Sequence, residues 1–411
     1  MTTPQAAALA QAARIADALT NPHQAADAIR GGRPWPQSLA GGAAGIALLH
    51  IERARSGHAD HLTAHDWLNA ATHERLSAAD NAGLFYGAPA VAFAVWAADG
   101  GTGRYKDALA LLDTAVSTIT QTRLAAAYAR IKRGERPTLA EFDLIRGLTG
   151  LAAYHLARHP VHTTTGDVLT YLVRLTEPLT ADDPFPPWWT LVWTDGDSNP
   201  DYREGHGNFG VSHGIGSVLA VLALSLLHNA SVPGAEEAVG RICAWTDQWR
   251  QQGDTGPWWP GYITADQVRI RRVAPELRPR PSWCYGIAGT ARAQQLAGMA
   301  LCDTDRQRTA EEAMLAALRD PAHLQLLGDD VGLCHGKAGL LHAACRMAAD
   351  ALTPQISTEL PRLASQITTD LSPRVANAEL LDGAAGTALA LHTFGTGTAP
   401  ASRWDAVLAL A

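Results

Sequence analysis

"SWCYGIAG" (282–289) sets Cys284 and Tyr285 directly before a small-residue step, Gly286-Ile-Ala-Gly289, and "GLCHGKAG" (332–339) repeats the plan with Cys334, His335 and Gly336-Lys-Ala-Gly339. The same step recurs outward in both directions. Its first glycines are Gly42, Gly87, Gly147, Gly214, Gly286, Gly336 and Gly383, at intervals of 45, 60, 67, 72, 50 and 47 residues. Two helices and their loops fit in ~40–47 residues in other paired-helix repeats. After each step comes an apolar run, such as "VLAVLALSLLH" (218–228) or "LLHAACRMAA" (340–349). Runs that are apolar nearly all round belong to helices buried on several sides. More amphipathic segments lie between them, at 63–76, 105–118, 304–318 and 354–369. Residues i and i+3 share a helix face, so the paired small residues let neighbouring helices approach closely. Inner helices alternating with outer ones predict an all-α fold. The expectation is a single domain over 1–411, an α/α toroid of seven helical hairpins closed into a double-layered ring.

Composition agrees with a repeat. A chain of 411 residues exceeds the ~250–300 that one hydrophobic core holds, and a repeat grows without thickening its core. Apolar content is 47%, charged content 18% and net charge −7, with only Lys106, Lys132 and Lys337 as lysines. No basic stripe appears, which argues against nucleic acid, and no apolar stretch reaches the ~20 residues of a membrane helix. The N-terminal run is broken by Gln11, Arg14 and Asp17 and reads as an amphipathic helix, not a signal peptide. Five cysteines, an odd count in a large chain, predict a reducing, cytoplasmic setting with thiols used as ligands or buried as small hydrophobes. The longer intervals carry inserts at 182–210 and 253–281, rich in Pro, Gly and Trp (Trp188, Trp189, Trp193, Trp258, Trp259). These are expected to form a small β-containing extension or lid, with "ITADQVRIRRV" (263–273) as a candidate strand. Their tryptophans either line a peptide groove or pack a small subdomain.

The register carries the chemistry. One residue before the seven first glycines stand Gly41, Tyr86, Arg146, His213, Tyr285, His335 and Asp382; one further back stand Ala40, Phe85, Ile145, Ser212, Cys284, Cys334 and Leu381. In a ring, equivalent positions point at one axis, so His213, Tyr285, His335, Cys284 and Cys334 are expected to converge. A lone cysteine before a helix is usually a small buried hydrophobe. Two Cys and two His in equivalent registers outweigh that reading. Cys243, Cys302 and Cys345 fall outside the register and read as mid-helix core.

Cys284, Cys334 and His335 suit one Zn²⁺ per chain, with three protein ligands and an exchangeable fourth position, the catalytic pattern. Adjacent ligands can point the same way in a turn before a helix, where the helix dipole also favours thiolate. There is no HExxH, and "GLCHGKA" is one residue short of a Walker A loop and lacks its Ser/Thr. Lys337 beside the metal pair reads as a helix N-terminal residue rather than an anion contact.

At these residues the chain resembles the lanthionine synthetase C-like proteins, the lantibiotic cyclases. "SWCYG", "CHG" and "GVSHG", together with the sevenfold glycine repeat, carry the resemblance over essentially the whole chain. It implies an α/α toroid with a central zinc, and in some members a small SH2-like extension. It implies closure of thioether rings in a ribosomally made precursor peptide by addition of cysteine thiols to dehydroalanine or dehydrobutyrine. Carried over residue by residue, it gives zinc ligands Cys284, Cys334 and His335, a catalytic His213 with the acidic partner Asp143, and Arg280 and Tyr285. Arg278 in "RPRP" is an alternative to Arg280, Asp143 alternatively caps a helix, and Tyr285 alternatively only packs. His206 in "EGHGNFG" is a second histidine that the motif does not require. Partners implied by the family are the dehydrated peptide, a dehydratase and a transporter, in a complex peripheral to a membrane.

The chemistry fits. A free thiol has a pKa of ~8.5, and a coordinating thiol is deprotonated outright. Addition to the alkene leaves an enolate that needs stabilisation and a proton, tasks suited to His213 with Arg280 or Tyr285. Two other readings stand beside this one: a relative that adds glutathione to dehydrated residues, and a non-catalytic peptide-binding scaffold with a structural zinc. Prenyl transfer on a helical barrel is more remote.

Overall fold

The computed structural model describes residues 3–25, 35–180, 182–192, 202–371 and 375–411. The seven first glycines, from Gly42 to Gly383, are each the N-cap of an apolar helix: Ala43–Arg55, Ala88–Asp99, Leu148–Arg158, Ile215–Leu227, Ile287–Ala300, Lys337–Asp350 and Ala384–Thr396. The absence of polar faces has the expected consequence. In Ile215–Leu227 every residue from Ile215 to Ser225 is buried. Between these helices run the amphipathic ones: Pro4–Ala18, Leu62–Ala71, Lys106–Lys132, Thr163–Leu175, Ala235–Trp249, Thr304–Arg319 and Gln355–Asp370.

Apart from Gly87, whose φ of +76° itself favours glycine, the step glycines are required by close approach rather than by unusual dihedrals. Gly286 has extended backbone (φ −108°), but a Cβ there would lie 1.9 Å from the Arg280 carbonyl oxygen. At Gly289 it would lie 2.1 Å from the carbonyl oxygen of Trp283 and 2.8 Å from Val211. The step therefore admits the helix's own preceding turn as well as the neighbouring repeat.

Contacts group the chain into two compact units, Met1–Val116 with Gln325–Ala406 and Ser117–Leu324 with Val407–Ala411. In the first, backbone bonds run from turn to turn. Cys334 N–H donates to Leu381 O (2.8 Å), Leu380 and Leu381 N–H donate to Ala40 O (3.1 Å each), and Leu39 N–H donates to Phe85 O (3.0 Å). In the second, Leu144 N–H donates to Ser212 O (3.2 Å) and Val211 N–H to Cys284 O (2.8 Å). Every acceptor is the residue two before a step glycine, so one register position stitches each turn to the next.

Each unit also anchors part of the C-terminal segment. In the first, the fully buried Asp405 accepts from His342 Nε2 (2.9 Å) and from Arg346 Nε (2.5 Å) and Nη2 (2.9 Å). In the second, Trp283 Nε1 donates to Leu408 O (3.1 Å) and Arg292 Nε to Leu410 O (3.0 Å).

Short strands lie in or beside the inserts, with Gln251–Gln252 just before the second. Strands β1 (His206–Asn208), β2 (Gln251–Gln252), β3 (Pro257–Trp258) and β4 (Tyr262–Thr264) form two antiparallel pairs, β1 with β4 and β2 with β3. The candidate strand over 263–273 is corrected. The extended stretch stops at Thr264 and Ala265–Ile270 is helical, because Thr264 and Gln267 form a reciprocal capping box. Trp188, Trp189, Trp258 and Trp259 are buried, with Trp188 edge-on to Trp245 and Trp189 stacked on Phe185; they pack and do not line a groove. Trp193 lies outside the described residues. Cys243 is buried within Ala235–Trp249, and Cys345 lies partly buried within Lys337–Asp350. Cys302 differs from expectation: it is exposed, past the end of Ile287–Ala300, with φ +55°. The helix ends there in a left-handed residue, as helix C-termini commonly do.

Candidate metal centre

Cys284 is held in its turn from both sides. Its carbonyl takes the Val211 N–H, and its neighbour Trp283, wholly buried, is tied to Leu408 O. Ser282 Oγ lies 3.6 Å from Cys284 Sγ. Cys334 is pinned through its own N–H to Leu381 O (2.8 Å), and the next residue turns its ring back so that His335 Nε2 lies 4.0 Å from Cys334 Sγ. The ligand atoms of Cys284, Cys334 and His335 all lie within 4.8 Å of one another. Both sulfurs belong to buried residues, while the His335 side chain is 34% exposed. Two thiolates and an imidazole are the donor set that zinc takes and that Mg²⁺ or Ca²⁺, which need oxygens, do not. These residues fit a zinc ion.

His213 occupies the position before Gly214, and its Nδ1 meets Asp143 Oδ2 at 2.6 Å. Asp143 is fully buried, with its other oxygen accepting the backbone N–H of Arg146 (2.6 Å) and Gly147 (2.8 Å). It thus shapes its own turn and bonds His213 at once. An ionised carboxylate only accepts, so His213 carries its hydrogen on Nδ1 and presents Nε2. Arg146 brings its guanidinium to 3.4 Å from Asp143 Oδ2. Tyr285 stacks on His213, ring centroids 6.2 Å apart, and under Tyr262 at 5.0 Å. Burial pushes the Tyr285 phenol up to about 12, against the pull of Tyr262 and Ser212 beside its hydroxyl.

The two arginines of "RPRP" differ in their surroundings. Arg278 donates to Asp320 Oδ2 and to His323 Nδ1, 3.0 Å each. Arg280 is exposed, and its backbone carbonyl closes the Cys284 turn by accepting Ser282 N–H at 2.8 Å. His206 lies in β1, fully buried and edge-on to Tyr202 and Tyr262, and burial drives its pKa down to about 4. Lys337, the first residue of its helix, is bound to Asp370 at 2.6 Å. One contact was not foreseen: His335 Nδ1 lies 3.3 Å from Asp382 Oδ1. Asp382 stands in the same register as His335, one repeat later, and that register was its visible signal.

Among solved structures, nisin cyclase is similar with a TM-score of 0.75 and 19% sequence identity, over 92% of this chain and 93% of that one. That likeness shows the fold, an α/α toroid, as the glycine repeat predicts. A search of curated proteins finds no match. The family model for lanthionine synthetase C-like protein matches residues 33–409. The chain belongs to the lanthionine synthetase C-like family.

Proposed function

We propose that this protein is a zinc-dependent lanthionine synthetase that closes thioether rings in a dehydrated, ribosomally made precursor peptide. The observation that carries the reading is the convergence of Cys284, Cys334 and His335 within 4.8 Å, in a chain of this family. A zinc ion held by these residues supplies a thiol-binding Lewis acid that favours the thiolate, and the charge of two protein thiolates leaves an incoming sulfur nucleophilic.

The chain's own residues do the rest. The peptide sulfur bonds to Cβ of dehydroalanine or dehydrobutyrine, and the π pair moves onto Cα and its carbonyl oxygen. A proton must then reach Cα. His213, anchored through Nδ1 by Asp143, takes up on Nε2 the proton that the thiol gives up and delivers it to Cα, a role worth typically 10²–10⁴-fold in rate. The buried Asp143 steadies the imidazolium without leaving its turn. Arg280, exposed and beside the Cys284 turn, offers a cation to the enolate oxygen. Tyr285, a phenol neutral at pH 7 whose ionisation burial opposes further, offers a hydrogen bond and not a charge. The atoms balance: one S–H is lost, one S–C and one C–H form, and the product has the mass of the dehydrated peptide.

Metal analysis with Cys284→Ala and Cys334→Ala tests the reading. Loss of zinc from each, with loss of ring closure assayed by thiol alkylation and mass, is expected. Full zinc content in both single variants overturns it.

A further inference from the structure

Two histidines of this chain make the same bond in the same register. His213 and His335 each stand one residue before a step glycine, and each meets a carboxylate through Nδ1, Asp143 at 2.6 Å and Asp382 at 3.3 Å. The first pair serves proton transfer in the function proposed above. The second faces Cys334, because the opposite nitrogen, Nε2, is the one 4.0 Å from Cys334 Sγ. We propose, resting on the zinc reading above, that Asp382 is a positioning residue for the metal centre, holding the His335 ring in the Nδ1–H tautomer so that the Nε2 lone pair is the ligand.

The surrounding backbone is built to keep Asp382 in place. Its predecessor's carbonyl, Leu381 O, accepts the N–H of the ligand Cys334 (2.8 Å), and its own carbonyl accepts Asn377 Nδ2 (3.1 Å). Gly332 lets the two turns meet: a Cβ there would lie 3.0 Å from Leu381 O and 3.1 Å from the Asp382 Cα. The carboxylate is therefore fixed by the same turn-to-turn bond that fixes Cys334. A neutral imidazole has one N–H and one lone pair, and the partner of the N–H decides which nitrogen binds metal. Carboxylate partners of metal-bound histidines orient the ring and raise its basicity, and losing one costs 10–100-fold in metal affinity. The pair is partly open to solvent, with side chains 34% and 40% exposed, so its removal leaves no buried charge behind.

The test is zinc affinity, measured on the full chain by competition with a chromophoric chelator, together with the ¹⁵N signature of the His335 ring in metal-free protein. Asp382→Ala is expected to bind zinc 10–100-fold more weakly and to show a mixture of His335 tautomers, with the metal-free thermal midpoint unchanged. Asp382→Asn, whose amide oxygen still accepts from Nδ1–H, is expected to recover most of the affinity. Wild-type zinc affinity in Asp382→Ala, alongside zinc loss in Cys284→Ala, overturns this inference and leaves the metal centre standing. An absence of zinc binding in the unaltered chain overturns both.

Discussion

At the scale of single residues, His213 is separable from the metal ligands by experiment. His213→Ala removes the proton donor, and ring closure is expected to slow 10²–10⁴-fold with zinc content unchanged; wild-type rates in that variant would remove His213 from the reaction. The two arginines of "RPRP" divide differently. Arg278→Ala strips Asp320 and His323 of a half-buried partner and is expected to lower the denaturant midpoint by the equivalent of about 1–3 kcal/mol. Arg280→Ala is expected to leave that midpoint in place and to lower the cyclisation rate; the reverse pattern would show that Arg278 is the arginine that acts. The candidates for these proposed roles were half visible in the residues alone. The metal set and His213 stood out because a repeat makes equivalent positions comparable. Which arginine is already engaged depends on Asp320 and His323, more than 40 residues away, and no spacing rule links them. Lys337 departs from its reading: a residue just after a helix N-cap is ordinarily solvated, but here the side chain is 14% exposed and paired with Asp370.

At the scale of elements, the repeat explains why a sequence with little local polarity still folds to a defined arrangement. Seven glycine caps set seven helix starts, and the carbonyl two residues earlier is the acceptor that joins turn to turn in each unit. Helices were legible because their periodicity is local and their caps are glycines whose Cβ would strike backbone, as at Gly286. The strands were not. β1 and β4 pair His206 with Thr264 across 58 residues, and three-residue strands have too little alternation to signal themselves. The misread stretch after Thr264 had a helix signature in plain view, Thr264-Ala-Asp-Gln267, the S/T-x-x-E/Q pattern. Thr264→Ala is expected to cost about 1 kcal/mol by loss of the Gln267 N–H acceptor. The check is equilibrium unfolding in urea, with Thr264→Ser as the conservative control; equal midpoints for the alanine and wild-type chains would show that the box adds nothing. Because β4 leads from that cap to the Tyr262 ring lying over Tyr285, the same variant tests whether the insert supports the site: a fall in ring-closure rate larger than the stability loss explains would place it there.

At the scale of the whole molecule, acid response follows from where its histidines are buried. Burial lowers His50, His206 and His392 to about 4 each; for His50 the Leu19 carbonyl resists the fall, and for His392 the nearby His58 and Arg53 add to it. In the unfolded chain each titrates near 6.5. The folded values are therefore depressed, so at any pH between about 6.5 and 4 the unfolded state holds more protons and stability falls as pH falls. The contribution is fully present above the unfolded value and gone below the folded one, about 3 kcal/mol per histidine at most. Asp405 acts in a separate window. Its burial would raise its pKa, but His342 and Arg346 outweigh that and hold it well below the usual carboxylate range, so its contribution is lost only as pH falls below about 4. His392 offers the clean test, since its ring meets only Ser56 Oγ (2.9 Å) and the edge of His58 among its resolved side-chain partners. His392→Gln is expected to flatten the fall in unfolding free energy between pH 7 and pH 4 by roughly a quarter to a third, because burial lowers His323 in the same direction as the other three. The slope, and not the value at any one pH, is the readout, because lost packing shifts every point equally. A variant whose curve runs parallel to the wild type over that window would show that His392 is not held neutral by the fold.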